Sequence, residues 1–209
     1  MRHALLTLLL FCVIAAVAPS HAQVTDNPEL ASIHRDDQLA RADAANIDWS
    51  VVAREDAERR ARVLALMRGG ALRTARDHYH AAMVFQHGST LEDIRTAHAL
   101  SSLAATLAPE EAGYRWLVAA SWDRIMTTQL QPQWYGTQFR SDEAGLFLYP
   151  VADGAVGDPE RARMGVPSLA EIQARIGETA AAMGQPVHPA PPTIEQLRRA
   201  QRATGSITP

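Results

Sequence analysis

The stretch that decides the fold runs from residue 77 to residue 98 and reads DHYHAAMVFQHGSTLEDIRTAH. Its first half has helical periodicity up to Gly88, and glycine is a residue that commonly ends helices. Directly afterwards, Ser89 followed by Glu92 has the spacing of a capping box, which predicts the start of a second helix. A connection this short places two helices side by side and antiparallel. We therefore expect a tight helical hairpin around this glycine.

Several histidines of this stretch are predicted to face the interior. Asp77, His80, Val84 and His87 follow one another at steps of three, four and three residues, so they share one face of the first helix. Burial of Val84 would then bury the two histidines beside it. Because the turn folds the second helix back, we expect His98 to face the same interior.

Capped, periodic segments on both sides of the hairpin indicate a mainly α fold. The early turns of the helix predicted at 48–68 also carry a dense run of charges, which is typical of a solvated face. Helices are predicted at about 27–44, 48–68, 72–87, 89–107, 109–130 and 168–183, with a helical turn at 158–164. Only residues 139–149 combine aromatic and β-prone residues around a turn. We expect a helical bundle of about five to six helices with one short β-hairpin.

The two ends of the chain differ in composition from the middle. Residues 1–22 combine a positive start, a short apolar run and Ser20-His21-Ala22, the pattern of a cleaved signal peptide. A transmembrane anchor is the alternative, but the apolar run is short for a span. The predicted protein is therefore exported, either periplasmic or secreted. We expect a single helical domain at 23–184 and a proline-rich linker with a flexible tail at 185–209.

Composition limits the partners and the chemistry of the protein. The formal net charge is −3, which provides no basic footprint for nucleic acid. The single cysteine, Cys12, falls in the predicted signal peptide, so the mature chain has neither a thiol nucleophile nor a disulfide. We expect no membrane contact after signal removal. The expected partner is a small molecule or a peptide of unknown identity.

The histidines make a metal site the first hypothesis to weigh. His80 and His87 are seven residues apart. On a helix this separation is about 10 Å, too far for one ion. A set of Asp77, His80 and His98, drawn from both helices, is the remaining metal alternative. Histidines hydrogen-bonded in a polar interior explain the same pattern without an ion, and we expect neither a metal nor another cofactor.

Acid–base chemistry is a second hypothesis. His87 ends its helix beside Gln86 and could act as a general base, with Asp123 holding its tautomer. Arg124 could bind a carboxylate or a phosphate. The alternative is structural: Asp123 and Arg124 form a buried or half-buried ion pair that ties their apolar helix to the loop at 133–138.

That loop is another place where polar side chains cluster. Two glutamines, a tyrosine and a threonine surround one glycine there. They can line a pocket for a ligand, or they can satisfy the backbone of a buried turn. The candidate ligand-binding residues are His80, Gln86, His98, Gln133, Tyr135, Thr137 and Gln138.

Several of these segments resemble an uncharacterised bacterial family, a domain of unknown function. The matching pieces are DHYHAAMVFQHG at 77–88, Ala97-His98, Trp116-Leu117, Asp123-Arg124 and QWYGTQF at 133–139. The resemblance covers about residues 63–169. No activity is established for that family, so the resemblance implies a fold and no reaction.

Two functional classes remain open from the sequence. The first is an exported binding or structural module with a buried polar seam of His, Asp, Arg and Gln side chains. The second is a small, metal-independent hydrolase-like enzyme in which His87 is the general base, assisted by Asp123 and Arg124. A cavity where these three residues meet Gln138 would favour the enzyme, whereas the same residues mutually satisfied would favour the module.

Overall fold

The computed structural model describes residues 24–43 and 46–203. In those ranges the protein is mainly α-helical with one short β-hairpin, as the sequence predicts. The elements are α1 (Pro28–Leu39), α2 (Trp49–Arg68), α3 (Ala75–Gln86), α4 (Leu91–Leu107), α5 (Ala112–Thr128), β1 (Phe139–Asp142), β2 (Gly145–Leu148), α6 (Asp158–Arg163), α7 (Leu169–Ala174), α8 (Ile176–Ala182) and α9 (Ile194–Ala203). None of these helices is long and apolar enough to cross a membrane. The predicted signal peptide at 1–22 lies outside the described residues.

Side-chain caps begin several helices where the sequence predicts. Asn27 accepts hydrogen bonds from two backbone amides in the first turn of α1, and Asp48 does the same for α2. Ser168 forms the predicted capping box at α7. Each cap satisfies N–H groups that have no partner within the helix. The predicted helix at 168–183 is interrupted at Arg175, whose backbone (φ −90°, ψ 0°) leaves the helical region, so α7 and α8 are separate.

The turn between α3 and α4 differs by one residue from the prediction. Thr90, not Ser89, caps α4, and the Asp93 side chain accepts a hydrogen bond from the Thr90 amide. Both candidate boxes have the same spacing, so spacing does not distinguish them. Gly88 leaves room for the Asp93 side chain of the second box, because a Cβ at position 88 would lie 2.2 Å from the Cβ of Asp93. The turn therefore packs directly against the first turn of α4.

The main core is built around α3, which contacts α1, α2, α4 and α5. Its Ala81 and Ala82 are fully buried, and their small side chains allow the neighbouring helices to approach closely. Leu30 from α1, Val63 from α2, Leu100 from α4 and Leu117 from α5 also belong to this core. The packing places the C-terminal end of α3 beside the ends of other helices, where the candidate site lies.

The β-hairpin is extended by a segment from the C-terminal region. β1 pairs antiparallel with β2, and Phe139 lies opposite Leu148. On the free edge of β2, the Leu146 amide donates to the Pro186 carbonyl at 2.8 Å, and the His188 amide donates to the Leu146 carbonyl at 2.8 Å. Part of the predicted proline-rich linker therefore pairs with the sheet.

Candidate functional site

Two side chains distant in sequence meet where α1 lies against the C-terminal end of α3. His87 occupies the C-cap position of α3, and its Nδ1 lies 3.0 Å from both carboxylate oxygens of Asp37. Asp37 is fully buried. Because a carboxylate only accepts hydrogen bonds, Nδ1 carries a proton. In the neutral imidazole, Nε2 then bears the lone pair.

Asp37 also joins α1 to α2 through Arg41. One Arg41 nitrogen lies 3.1 Å from Asp37, and another bonds to Asp56 of α2. Asp56 is buried and also accepts a hydrogen bond from Arg59 at 2.7 Å. Burial would raise the pKa of Asp37, but the hydrogen bond and charge of His87, with the charge of Arg41, outweigh it and lower that pKa. The alternating charges of Asp56, Arg41 and Asp37 thus fix the orientation of the His87 imidazole.

Arg124, on α5, differs from these arginines because no acidic side chain in the described ranges neutralises it. Its guanidinium is half-buried and donates one long hydrogen bond, to the Gly88 carbonyl at 3.4 Å. Among the described residues, no carboxylate lies within the 4.0 Å that defines an ion pair with it. Burial, followed by the charges of Arg41 and Arg140, lowers the pKa of Arg124. The cation is therefore partly desolvated without a counter-charge.

His87 and Arg124 line one cavity between α2, the α3–α4 turn and α5. The cavity has a volume of about 490 Å³. Its lining residues are Arg41, Trp49, Ala53, Asp56, Arg60, His87, Gly88, Ser89 and Arg124. We call it the Arg124 cavity. Three guanidinium groups and one carboxylate lie in its wall, so the wall itself is predominantly cationic.

Asp123 lies on another side of α5 and holds the loop at 133–138. It is fully buried. Its carboxylate accepts hydrogen bonds from the backbone amides of Trp134, Tyr135 and Thr137 at 2.8 to 3.2 Å, and from the Thr137 hydroxyl at 2.9 Å. The predicted link between this helix and the loop is therefore present, and a carboxylate with four donors makes it.

The partners predicted for Asp123 are wrong. Successive helical residues point about 100° apart, so Asp123 and Arg124 face different sides of α5 and form no ion pair with each other. For the same reason Asp123 does not reach the imidazole of His87. Asp37, from α1, occupies the tautomer-holding position that the sequence analysis gives to Asp123.

All four candidate ligand residues in the loop bond to the protein itself, although the hydroxyl of Tyr135 does so only through a long hydrogen bond, 3.5 Å, to Glu160. Gln133 is fully buried, donates to the carbonyls of Gln138 and Tyr149 at 2.9 and 2.7 Å, and accepts from the Gln138 amide at 2.8 Å. The Gln138 side chain donates to the Ala120 carbonyl at 3.2 Å. Thr137 is bound to the buried carboxylate of α5. These side chains satisfy a buried turn, which is the structural alternative for this loop.

The remaining candidates lie apart from the Arg124 cavity. His80 stacks on His34 of α1, with ring centroids 4.3 Å apart. The Gln86 side chain donates to the backbone of α5 at 3.4 Å, and His98 Nδ1 lies 3.1 Å from the Ser121 hydroxyl. The single polar seam predicted from the sequence is therefore divided into separate groups.

The metal alternative of Asp77, His80 and His98 does not assemble. Asp77 caps α3 and accepts hydrogen bonds from three backbone amides at 2.8 to 3.1 Å, and the two histidines belong to separate groups. In the part of the chain that the structure describes, no three His, Cys, Asp or Glu side chains are arranged to hold a metal ion.

Sequence reasoning missed three residues of this site: Asp37, Arg41 and Asp56. The first helix has only a weak apolar face, and the charged run of α2 is typical of a solvated surface. One signal was present, because Asp37 and Arg41 are four residues apart and so share a face of α1. Their contacts with His87 and α2 depend on tertiary packing, which that spacing does not specify.

Comparisons with known proteins leave this site to be interpreted from its own geometry. No protein-family model, curated protein or solved structure matches the chain.

Proposed function

We propose that the protein is an exported binding module that takes a small organic anion, a carboxylate or a phosphate, in the Arg124 cavity. The observation that carries this proposal is the half-buried guanidinium of Arg124, which lines the cavity and has no carboxylate partner among the described residues. A guanidinium presents donors in a planar fork that matches carboxylate and phosphate oxygens. A bound anion would supply the counter-charge that the described residues do not.

The other two arginines of the wall support this assignment by contrast. Arg41 is neutralised by Asp37 and Asp56, and Arg60 lies 3.5 Å from Asp93. They add positive potential and hydrogen-bond donors, but their charges are already balanced. Arg124 is therefore the group whose environment changes most when an anion enters.

The size and the neutral lining of the cavity fit a small organic molecule. Its volume of about 490 Å³ is within the range of roughly 300 to 1,000 Å³ found for small-molecule sites. Trp49 and Ala53 provide an apolar wall, and Ser89 provides a hydroxyl group. An inorganic ion would fill little of this space, so an anionic head with a small organic body is the better match.

One observation favours a second candidate, general-base catalysis on the bound anion. Asp37 engages Nδ1 of His87, which leaves Nε2 as the ring nitrogen for a ligand in the cavity that His87 lines. A carboxylate–imidazole pair of this kind can accept a proton from an attacking water. Arg124 would stabilise negative charge that develops on the substrate. The reaction class would be a metal-independent hydrolysis of an anionic substrate.

Binding can be tested by calorimetry and thermal shift with phosphate, phenyl phosphate, benzoate and citrate as probes. Arg124→Gln removes the uncompensated charge, and Arg68→Gln, at an exposed position at the end of α2, is the matched control. A lost charged hydrogen bond is worth about 1.5 to 3 kcal/mol. We therefore expect Arg124→Gln to bind an organic anion about 10- to 100-fold more weakly, with the control unchanged.

Two results would overturn the proposal. The first is a parent protein that none of the four anions stabilises by mass action. The second is equal affinity in the parent and Arg124→Gln. For the catalytic candidate, His87→Gln should retain binding but lose any turnover of phenyl phosphate, and a parent protein without turnover of anionic esters argues for the binding module.

A further inference from the structure

A second cavity is lined by the dipeptide Trp134-Tyr135, whose backbone is held by a charged side chain on each side. The amides of Trp134 and Tyr135 donate to Asp123 at 2.8 and 2.9 Å. Their carbonyls accept hydrogen bonds from the Arg161 guanidinium at 3.0 Å each. All four backbone polar groups of the dipeptide are thus bonded to ionic side chains.

Both clamping side chains are buried, although the rings that they position are not. Asp123 is 0 % exposed and Arg161 is 4 % exposed, while the rings of Trp134 and Tyr135 are half-buried. Burying a charge is costly unless it is fully hydrogen-bonded. A half-exposed aromatic pair needs no such support for stability alone, whereas a binding site benefits from walls that are fixed in advance.

These rings line a cavity with others from α4 and α5. The lining residues are His98, Val118, Trp122, Trp134 and Tyr135, and the volume is about 260 Å³. The two indole rings lie 4.9 Å apart at 65°, edge to face, and the imidazole lies 5.6 Å from one of them. A cavity of roughly 150 Å³ already admits benzene. The space therefore suits one planar ring with a small substituent.

One polar atom of this aromatic cavity is left for a ligand. The Ser121 hydroxyl donates to the Val118 carbonyl at 3.0 Å, so it accepts from His98 Nδ1 at 3.1 Å, which leaves Nε2 of His98 as an acceptor. Burial lowers the pKa of His98, which favours the neutral ring. The Nε1–H of Trp122 is itself buried, so a ligand in the cavity does not reach it. A single acceptor thus accompanies uncharged aromatic walls.

We propose that the aromatic cavity binds a neutral heteroaromatic ring that carries a hydrogen-bond donor. The donor pairs with Nε2 of His98, and the ring stacks against Trp134. A quaternary ammonium ion fits less well, because the ammonium group offers no donor and would lie near the Arg161 guanidinium behind the dipeptide. This site is separate from the Arg124 cavity and does not depend on the function proposed for it.

Titration calorimetry with nicotinamide as the probe tests this proposal. Toluene has a similar ring without polar groups, and choline is a quaternary ammonium ion. We expect nicotinamide to bind at least tenfold more tightly than either. Trp134→Ala should abolish binding by removing the stacking surface. His98→Phe keeps an aromatic ring but removes the acceptor, and should weaken binding about five- to tenfold.

Trp116→Phe is the matched control, because Trp116 is on α5 but outside this cavity, and its affinity for nicotinamide should equal that of the parent. Circular dichroism of each variant checks that it is folded. If Trp134→Ala does not fold, His98→Phe decides the question. The proposal is overturned if nicotinamide does not bind, if His98→Phe binds it as the parent does, or if choline or toluene binds more tightly.

Discussion

Asp123→Ala tests the role of the buried carboxylate between α5 and the loop at 133–138. The change removes the acceptor of three backbone amides and of the Thr137 hydroxyl. A buried donor left without a partner costs about 1 to 3 kcal/mol. Water can enter the space of the lost carboxylate and satisfy some of the four donors. We therefore expect the free energy of unfolding to fall by about 3 to 5 kcal/mol.

Urea denaturation followed by circular dichroism measures this loss. Asp36→Ala is the matched control, since Asp36 is exposed and its ion pair with Arg35 is 4.0 Å long. The control should change the free energy of unfolding by less than about 0.5 kcal/mol. Asp123→Asn, which keeps one acceptor oxygen, should lie between the two. If Asp123→Ala is as stable as the control, the carboxylate does not hold the loop and the reasoning fails.

Three further outcomes follow from the structure. Burial, then the charges of His34 and other neighbours, lowers the pKa of His80 to about 4, so the unfolded chain binds more protons than the folded chain below about pH 6.5. The free energy of unfolding should therefore fall by roughly 1 to 2 kcal/mol as the pH falls from 6.5 to 4, after allowance for solvent screening. Urea denaturation of His80→Gln should show a smaller change over this pH range. Gly88→Ala would place its Cβ 2.2 Å from the Cβ of Asp93, so we expect a loss of about 1 to 3 kcal/mol, and an unchanged denaturation midpoint would contradict that packing. Intact-mass measurement of exported protein should show that residues 1–22 are absent, and their presence would exclude signal-peptide cleavage.

The helices could be predicted because their signals are local. Asn27 and Asp48 cap the helices that follow them, and periodic apolar residues mark the buried faces. The start of α4 was placed one residue early because two capping boxes overlap there. The second box brings Asp93 against Gly88, a contact that exists only after the turn has formed.

The candidate site was predictable only in part. His87 and Arg124 stand out in the sequence because each is a polar residue in an otherwise apolar helical context, and the structure places both in one cavity. Asp37 is 50 residues from His87, and its burial depends on how α1 packs against α3. Asp123 was expected to need partners, and it has them. Their identity depends on where the loop at 133–138 lies relative to α5, which the sequence does not specify.

The pairing of β2 with the proline-rich segment has a consequence for self-association. An open strand edge presents unpaired N–H and C=O groups that can recruit another chain. Here the covering segment runs into Pro189, whose nitrogen carries no hydrogen, so it offers a poor template for a further strand. At the opposite edge, β1 carries the exposed charges of Arg140 and Asp142, which also oppose edge-to-edge contact. A chain cut after residue 184 would uncover the apolar strand and create a new site for aggregation.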